Sequence, residues 1–376
     1  MSWVEISEQA LSSNIRRFKE HIGCDVKLAA VLKANAYGHG LAETSRIAWK
    51  AGADWLAVNS VEEAALLRHA GLEAPIICLA YVPLALLEDA VELEARLTVF
   101  NLETVERLGA ITGRLKKAAR LHIKVETGTN RQGVKDDDLL RLAQAVGRHP
   151  YLTLEGLSTH FANIEDVTEH QFAEHQLRNF HAALDLLEQN GISVPFKHTA
   201  CTAAAILFPK TLFNLARVGI GLYGLWPSKE TRISALQAGI SLNELEPVLT
   251  WKTRIAQIKT VPPGATIGYG CTDHATQVTR IAVLPIGYFE GYDRRLSSIG
   301  YVLIRGHRAP LRGRVCMNMI MVDVTNIPGV ALEDEAVLLG RQGEDAISAE
   351  TLAGKIGTIN YEIVSRINPQ IPRIVV

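Results

Sequence analysis

Residues 28–59 read LAAVLKANAYGHGLAETSRIAWKAGADWLAVN. An apolar run from Leu28 to Lys33 is followed by a turn of small residues and glycines. Then comes LAETSRIAWKAG, with apolar residues at helical spacing, and a second apolar run from Trp55 to Asn59. Short unalternating apolar runs mark strands buried on both faces, and a helix between two of them makes the βαβ unit of a parallel sheet. The unit recurs: further strand candidates are Ile76 to Ala80, Leu97 to Phe100, Leu121 to Glu126, Leu154 to His160, Phe196 to Thr202 and Leu215 to Ile220, eight in all. Stretches such as VEEAALLRHAG and DLLRLAQAVG between them end on a Gly suited to a left-handed helix stop. Eight alternations predict an α/β chain whose residues 1–240 form a (β/α)8 barrel of the TIM type.

The pattern changes after residue 240. TWKTRIAQIKTV, TRIAVLPIGY, GYVLIRGHRAPLRGRV, CMNMIMVDV and EAVLLG read as strands broken by PPG, RGH and PG turns, and only ISAETLAGKIG reads as a helix. Residues 241–376 are therefore expected to form a second, mostly β domain, with residues 1–8 pairing with it through Trp3 to Ile6.

Composition narrows the partners. The chain has 376 residues, 48% hydrophobic and 21% charged, and its 39 Lys plus Arg nearly balance 40 Asp plus Glu. That balance argues against a nucleic-acid or anionic-membrane surface acting through net charge and favours a small-molecule partner. The five cysteines, at 24, 78, 201, 271 and 316, form no C-x-x-C pair and are odd in number, which predicts buried, reduced thiols in a cytoplasmic protein. No basic flank precedes an apolar core at MSWVEISEQALSS, and no apolar run reaches the roughly 18 residues of a membrane helix.

In such barrels the active site lies at the C-terminal ends of the strands and in the loops after them. Lys33 stands at such an end, before a turn that lets a ligand approach the backbone. A lone strand-end lysine is commonly a surface charge, but at an apolar barrel mouth its ammonium form is destabilised, which favours the neutral amine needed for imine formation. His160, Thr202 and Arg217 occupy other strand ends. Thr202, Gly219 and Ile220 fall where barrels place a phosphate, after strands seven and eight. LHIKVETGTNRQG puts Lys124 and Arg131 on either side of a Gly-containing turn, where an Arg can orient a carboxylate or phenolic oxygen. In the β domain IGYG, PIGYFEGY, RVCMNM and INYE carry Tyr269, Tyr288, Met317 and Tyr361, to which periodicity assigns no role. Nothing in the spacing suggests a metal site.

KANAYGHG, followed in order by ARVGIGLYG, IGYG, GYFEGY, RVCMN and INYE, resembles the alanine racemase family over nearly the whole chain. The resemblance implies pyridoxal 5′-phosphate as cofactor and Lys33 as the residue of its internal aldimine. It implies phosphate contacts from Tyr37, Thr202, Gly219, Ile220 and Tyr361, with His160 lining the pocket. Arg217 would face the pyridine nitrogen, and Arg131 the ring oxygen and the substrate carboxylate. Lys33 and Tyr269 would be the two catalytic bases on opposite faces of Cα, with Tyr269 contributed by the second subunit of a homodimer with shared active sites. Met317 and Asn318 match the substrate end, and Tyr288, Arg294, Arg314, Glu165 and Ile359 an entrance corridor whose narrowness favours a methyl side chain. Lys124 matches a position often carbamylated. The implied activity is interconversion of L- and D-alanine, supplying D-alanine for peptidoglycan.

The chain departs from the family pattern at KVETGTNRQG, at Cys201-Thr202, where Asn-Ser is usual, and at Asn318, where Asp is common. Three other readings stand beside it: a same-fold racemase acting on serine or another amino acid, a non-enzymatic pyridoxal-phosphate-binding protein, and a decarboxylase of the same architecture.

Overall fold

The protein is described from a computed structural model covering residues 2–165, 169–240, 242 and 245–376. It forms two compact units, one of Gln9–Ala34 and Thr44–Glu246, the other of Met1–Glu8, Asn35–Glu43 and Pro247–Val376.

β1 (Trp3–Ile6) belongs to the second unit. The first unit holds β2 (Lys27–Val31), β3 (Trp55–Val58), β4 (Ile76–Cys78), β5 (Arg96–Val99), β6 (Ala119–Lys124), β7 (Leu152–Ser158), β8 (Phe196–His198) and β9 (Leu215–Val218), in spatial order β8-β7-β6-β5-β4-β3-β2-β9. All neighbours are parallel, and β9 returns beside β2 with Arg217 opposite Ala29. The seam between β8 and β9 is drawn together by the Arg217 N–H donating to Ala200 O at 3.0 Å and the Lys197 N–H donating to Asn214 Oδ1 at 2.8 Å. This is the expected eight-stranded barrel, nearly closed.

Its strands are buried because helices cover them. The helix Glu8–Ile22 buries Ala10, Leu11, Asn14, Ile15, Phe18 and Ile22, the three-and-four spacing of one face. Each such large apolar side chain contributes about 1.5–3 kcal/mol. Ser60 and Asn101 start later helices by accepting the backbone N–H three residues on. β6 breaks the apolar rule most often. On β6, Leu121 and Ile123 share one face, while Arg120, His122 and Lys124 share the other.

The second unit is a sheet of β10 (Leu249–Arg254), β11 (Gln257–Val261), β12 (Thr279–Leu284), β13 (Tyr301–Ile304), β14 (His307–Arg312), β15 (Ile320–Asp323), β16 (Glu335–Gln342), β17 (Asp345–Ile347) and β18 (Arg373–Val375) together with β1. The order is β11-β12-β15-β14-β13-β16-β10-β1-β18, with β17 on β16. β1 runs antiparallel to β10, Trp3 opposite Lys252, and parallel to β18, Val4 opposite Arg373.

Three details differ from expectation. ISAETLAGKIG is helical at Ala349–Ile356, but a second helix, Asn360–Ser365, carries Tyr361; six residues are too few to show a helical period. Cys78 and Cys201 are buried, whereas Cys24 and Cys271 are exposed, and all five are unpaired. Lastly, β2 stops at Val31, and Lys33 opens a helical turn, Lys33–Tyr37, rather than closing the strand.

That turn is left-handed. Ala34, Asn35, Ala36 and Tyr37 have φ of 56°, 53°, 52° and 53°, and Gly38 follows at 83°. Each non-glycine residue so placed costs about 1–2 kcal/mol. Compensation comes from bonds within the turn: the Gly40 N–H donates to Asn35 O at 3.0 Å and the Leu41 N–H to Asn35 Oδ1 at 2.8 Å. Arg373 donates to Gly38 O from Nε at 3.1 Å and Nη2 at 2.9 Å. Gly38 also packs on the Tyr361 helix so closely that a Cβ would stand 2.0 Å from Val364 O. Gly38→Ala is therefore expected to destabilise the protein by about 2–4 kcal/mol, read as a lowered denaturant midpoint with unchanged slope.

Candidate active site

The barrel unit brings together Lys33, Lys124, Arg131, His160, Glu165, Thr202, Arg217, Gly219 and Ile220. Burial lowers the Lys33 pKa first and the Arg131 charge second, against Glu63 and Glu165, which raise it. Lys124 is pushed well below 10.5 by burial, then by Arg217 and Arg131, with only Glu126 opposing among the causes. Its ammonium has no hydrogen-bond or ion-pair partner among the described residues. His160 is lowered by burial and then by Lys124, Arg217, Arg131 and Lys33. The mouth of the barrel is thus a place where cations crowd and an anion is wanted.

Arg217 is the most constrained of them. Nη1 donates to His198 Nδ1 and to His198 O, both at 2.6 Å, and Nη2 to Thr159 O at 2.7 Å and Thr199 O at 3.1 Å. Four of its five N–H groups are so taken, while Nε–H has no acceptor among the described residues. Burial brings the guanidinium from 12.5 down to about 10, still charged at neutral pH. Beside it the buried Thr202 Oγ1 accepts the Gly219 N–H at 3.0 Å, which leaves the hydroxyl proton to donate elsewhere. Ile220 starts a 3₁₀ turn, whose first N–H groups lack intrahelical acceptors. An anionic oxygen cluster and a basic nitrogen acceptor would satisfy these donors.

Arg131 lies on an exposed loop organised by Glu126, whose carboxylate accepts the Gly128 N–H at 2.5 Å and the Arg131 N–H at 3.3 Å. Glu165 points its carboxylate toward Cys201, Sγ 3.9 Å away.

The second unit holds the remaining expected residues. Tyr37 and Tyr361 face each other with ring centroids 6.1 Å apart. Tyr269 is 73% exposed and stands between Gly268 and Gly270, both left-handed at φ 77° and 76°. A Cβ at Gly270 would sit 2.8 Å from Arg314 Nη1, so Arg314 backs the turn that presents Tyr269. Tyr288 and Arg294 line a surface cleft of about 780 Å³ with Asp293, Glu362 and Arg366. Met317 and Ile359 are exposed. Asn318 donates to Glu290 Oε1 at 2.7 Å, a contact in which an Asp would set carboxylate against carboxylate.

Sequence reading missed four polar residues. Glu63 accepts the Ala34 N–H at 2.7 Å and the Asn59 N–H at 2.8 Å, tying the start of the left-handed turn to the end of β3. His122, His198 and Glu155 lie inside the barrel beyond Arg217. The signal that could have found His122 is the alternation of ARLHIK within an otherwise apolar parallel sheet.

The chain matches two family descriptions, "Alanine racemase, N-terminal domain" over residues 6–227 and "Alanine racemase, C-terminal domain" over residues 248–375. It is 39% identical over 376 residues to an alanine racemase of Leptospira interrogans, covering 100% of this chain and 96% of the relative. It is 41% identical over 372 residues to one from Halothermothrix orenii, covering 99% and 96%. Among solved structures, alanine racemase from Bacillus anthracis with bound L-Ala-P superposes with TM-score 0.93 at 37% identity, covering 100% of this chain and 95% of that one. The Clostridium difficile enzyme in complex with cycloserine gives 0.90 at 33%, with 100% and 95% covered. Fold and matches together set the class, an amino-acid racemase. The chain belongs to the alanine racemase family.

The buried lysine has a consequence for stability. Between its lowered folded pKa and 10.5, Lys124 binds more protons unfolded than folded, so its contribution is unfavourable at neutral pH and vanishes as pH rises to 10.5. In carbon dioxide-free buffer the Lys124→Met protein should therefore unfold at higher denaturant than the parent at pH 7, and the gap should close toward pH 10.5.

Proposed function

We propose that the protein interconverts L- and D-alanine with pyridoxal 5′-phosphate held at the barrel mouth. It does so as a homodimer with shared active sites and thereby supplies D-alanine for peptidoglycan. The observation that carries this reading is a half-buried lysine whose pKa is lowered by desolvation and by Arg131, in the same barrel as an arginine with one undirected N–H. The cofactor's three polar features match the donors at hand. Thr202, Gly219 and Ile220 would hold the phosphate, and the family resemblance adds Tyr37 and Tyr361 to them; Arg131 would take the ring oxygen and the substrate carboxylate, Arg217 Nε–H would serve the ring nitrogen, and His160 would line the pocket. When bound, pyridoxal phosphate acidifies the Cα–H of an amino acid joined to it by drawing the electron pair into its ring.

Inversion needs a proton taken from one face of Cα and returned to the other. Lys33 serves one face, because burial and Arg131 disfavour its ammonium form. Tyr269 of a second copy serves the other. Its exposure on a turn whose two flanking glycines take positive φ supports that assignment, as do the exposed apolar residues of its unit, Tyr288, Phe289, Met317, Met319 and Ile359. Arg217 donates without surrendering its proton, so it would leave the ring nitrogen of a bound cofactor unprotonated and restrain electron withdrawal. Lys124, its pKa pushed well down by burial and by Arg217 and Arg131, suits carbamylation; the resulting anion would steady Arg131. Met317 and Asn318 border the substrate, while Tyr288, Arg294, Arg314, Glu165 and Ile359 form the approach. No helix among the described residues is long and apolar enough to cross a membrane, and the five unpaired cysteines suit the cytoplasm.

Purified protein should interconvert L- and D-alanine with pyridoxal phosphate present and lose that activity when the cofactor is stripped; faster turnover of serine would change the substrate, and no turnover of any amino acid would sink the reading. Tyr269→Phe should keep the cofactor's absorption and lose about 10²–10⁴-fold in the direction where the phenol is the base, with unchanged rates in both directions arguing against two bases.

A further inference from the structure

Arg217 does not end at His198. His198 Nε2 lies 2.8 Å from His122 Nδ1, and His122 Nε2 lies 3.0 Å from Glu155 Oε2. Glu155 in turn accepts from Arg96 Nε at 2.7 Å, with Arg120 Nε at 3.6 Å from its other oxygen. Arg217, His198, His122 and Glu155 come from β9, β8, β6 and β7, and all four are buried. The passage is built for these rings. A Cβ on Gly156 would stand 2.0 Å from His122 Nδ1, so the glycine vacates the space where the imidazoles meet. Trp55 packs its ring against His122 at 5.5 Å and carries the Arg96 guanidinium on its face at 4.4 Å.

The direction of every proton in this row is fixed by its ends. A guanidinium only donates and a carboxylate only accepts. His198 Nδ1 must accept from Arg217, so its proton is on Nε2 and points to His122 Nδ1. His122 must then carry its own proton on Nε2 and donate it to Glu155. Both rings are neutral and share one tautomer. Burial lowers the pKa of each, chiefly by desolvation, and so supports neutrality; Arg217, Lys124 and Arg96 add to it, while Glu155 opposes it at His122.

We infer that Glu155, through His122 and His198, is a positioning residue that fixes the orientation of Arg217 and so aims its Nε–H at the ring nitrogen of the bound cofactor; this rests on the proposed cofactor site. Glu155 touches neither cofactor nor substrate. A freely rotating imidazole at 198 could offer Arg217 an N–H instead of a lone pair, and two donors would then face each other.

The test is a double-mutant cycle between Glu155→Gln and Arg217→Lys in the full-length holoenzyme, together with ¹⁵N spectra of histidine-labelled protein. Glu155→Gln should lower kcat about tenfold with KM within about twofold, and loosen pyridoxal phosphate. In the Arg217→Lys background the same substitution should change kcat less than about twofold, because the group it acts through is already gone. Equal fold-losses in both backgrounds would make Glu155 a purely structural residue and overturn the inference. The spectra should show two rings protonated on Nε2 alone and unchanged from pH 6 to 8, one of which disappears in His122→Asn while the other shifts; a ring in that pair protonated on Nδ1 would equally overturn it. Should Glu155→Gln fail to fold, His122→Asn takes its place in the cycle. Absence of racemisation in the parent protein would defeat the proposed function, while the spectra would still decide the proton order.

Discussion

A guanidinium buried whole, with four of its N–H groups claimed by strand-end acceptors, is the constraint on which the barrel depends. Arg217 closes the seam between β8 and β9 through its backbone N–H and spans the same seam with its side chain. The residue that completes the sheet is therefore the residue left with one donor to spare. Desolvating a charge this fully is tolerable only because its hydrogen bonds are nearly all satisfied. The acceptors are mostly backbone carbonyls, which neither titrate nor move independently of the strands.

The cations around it are managed differently. Desolvation lowers the pKa of Lys33 and of Lys124, whereas the guanidinium of Arg217 keeps its charge at neutral pH. One crowded pocket thereby separates its basic residues by chemistry: the lysines hold their protons less tightly and the arginine stays a permanent donor. Glu63 and Glu165 keep Lys33 from being lowered further, so the Glu63 carboxylate that ties the left-handed turn to the end of β3 also bears on its basicity.

The eight barrel strands were legible because each is buried on both faces and so reads as an apolar run between helical stretches. Their ends were less so. Hydrophobic pattern records which side chains are hidden and is blind to the sign of φ, so the step from β2 into a left-handed turn at Ala34 left no trace in it. Tyr361 lay in a helix too short to show periodicity, and the exposure of Cys24 and Cys271 could not be told from that of Cys78. Within the site, single residues such as Lys33, Thr202 and Arg217 were visible as polar interruptions at strand ends. Their partners were not. His122 and His198 meet across 76 positions of chain, and no local pattern joins them.

The second unit is assembled from three stretches of chain, and β1 lies one strand in from the edge of its sheet, between β10 and β18. Severing the polypeptide near Pro247 would strip that inserted strand and bare two rows of unpaired amides and carbonyls on flanking strands, an open invitation to edge-to-edge stacking between molecules. The C-terminal third cannot then be shed or exchanged as an autonomous cassette; whatever reshuffles it during evolution has to carry the first eight residues along.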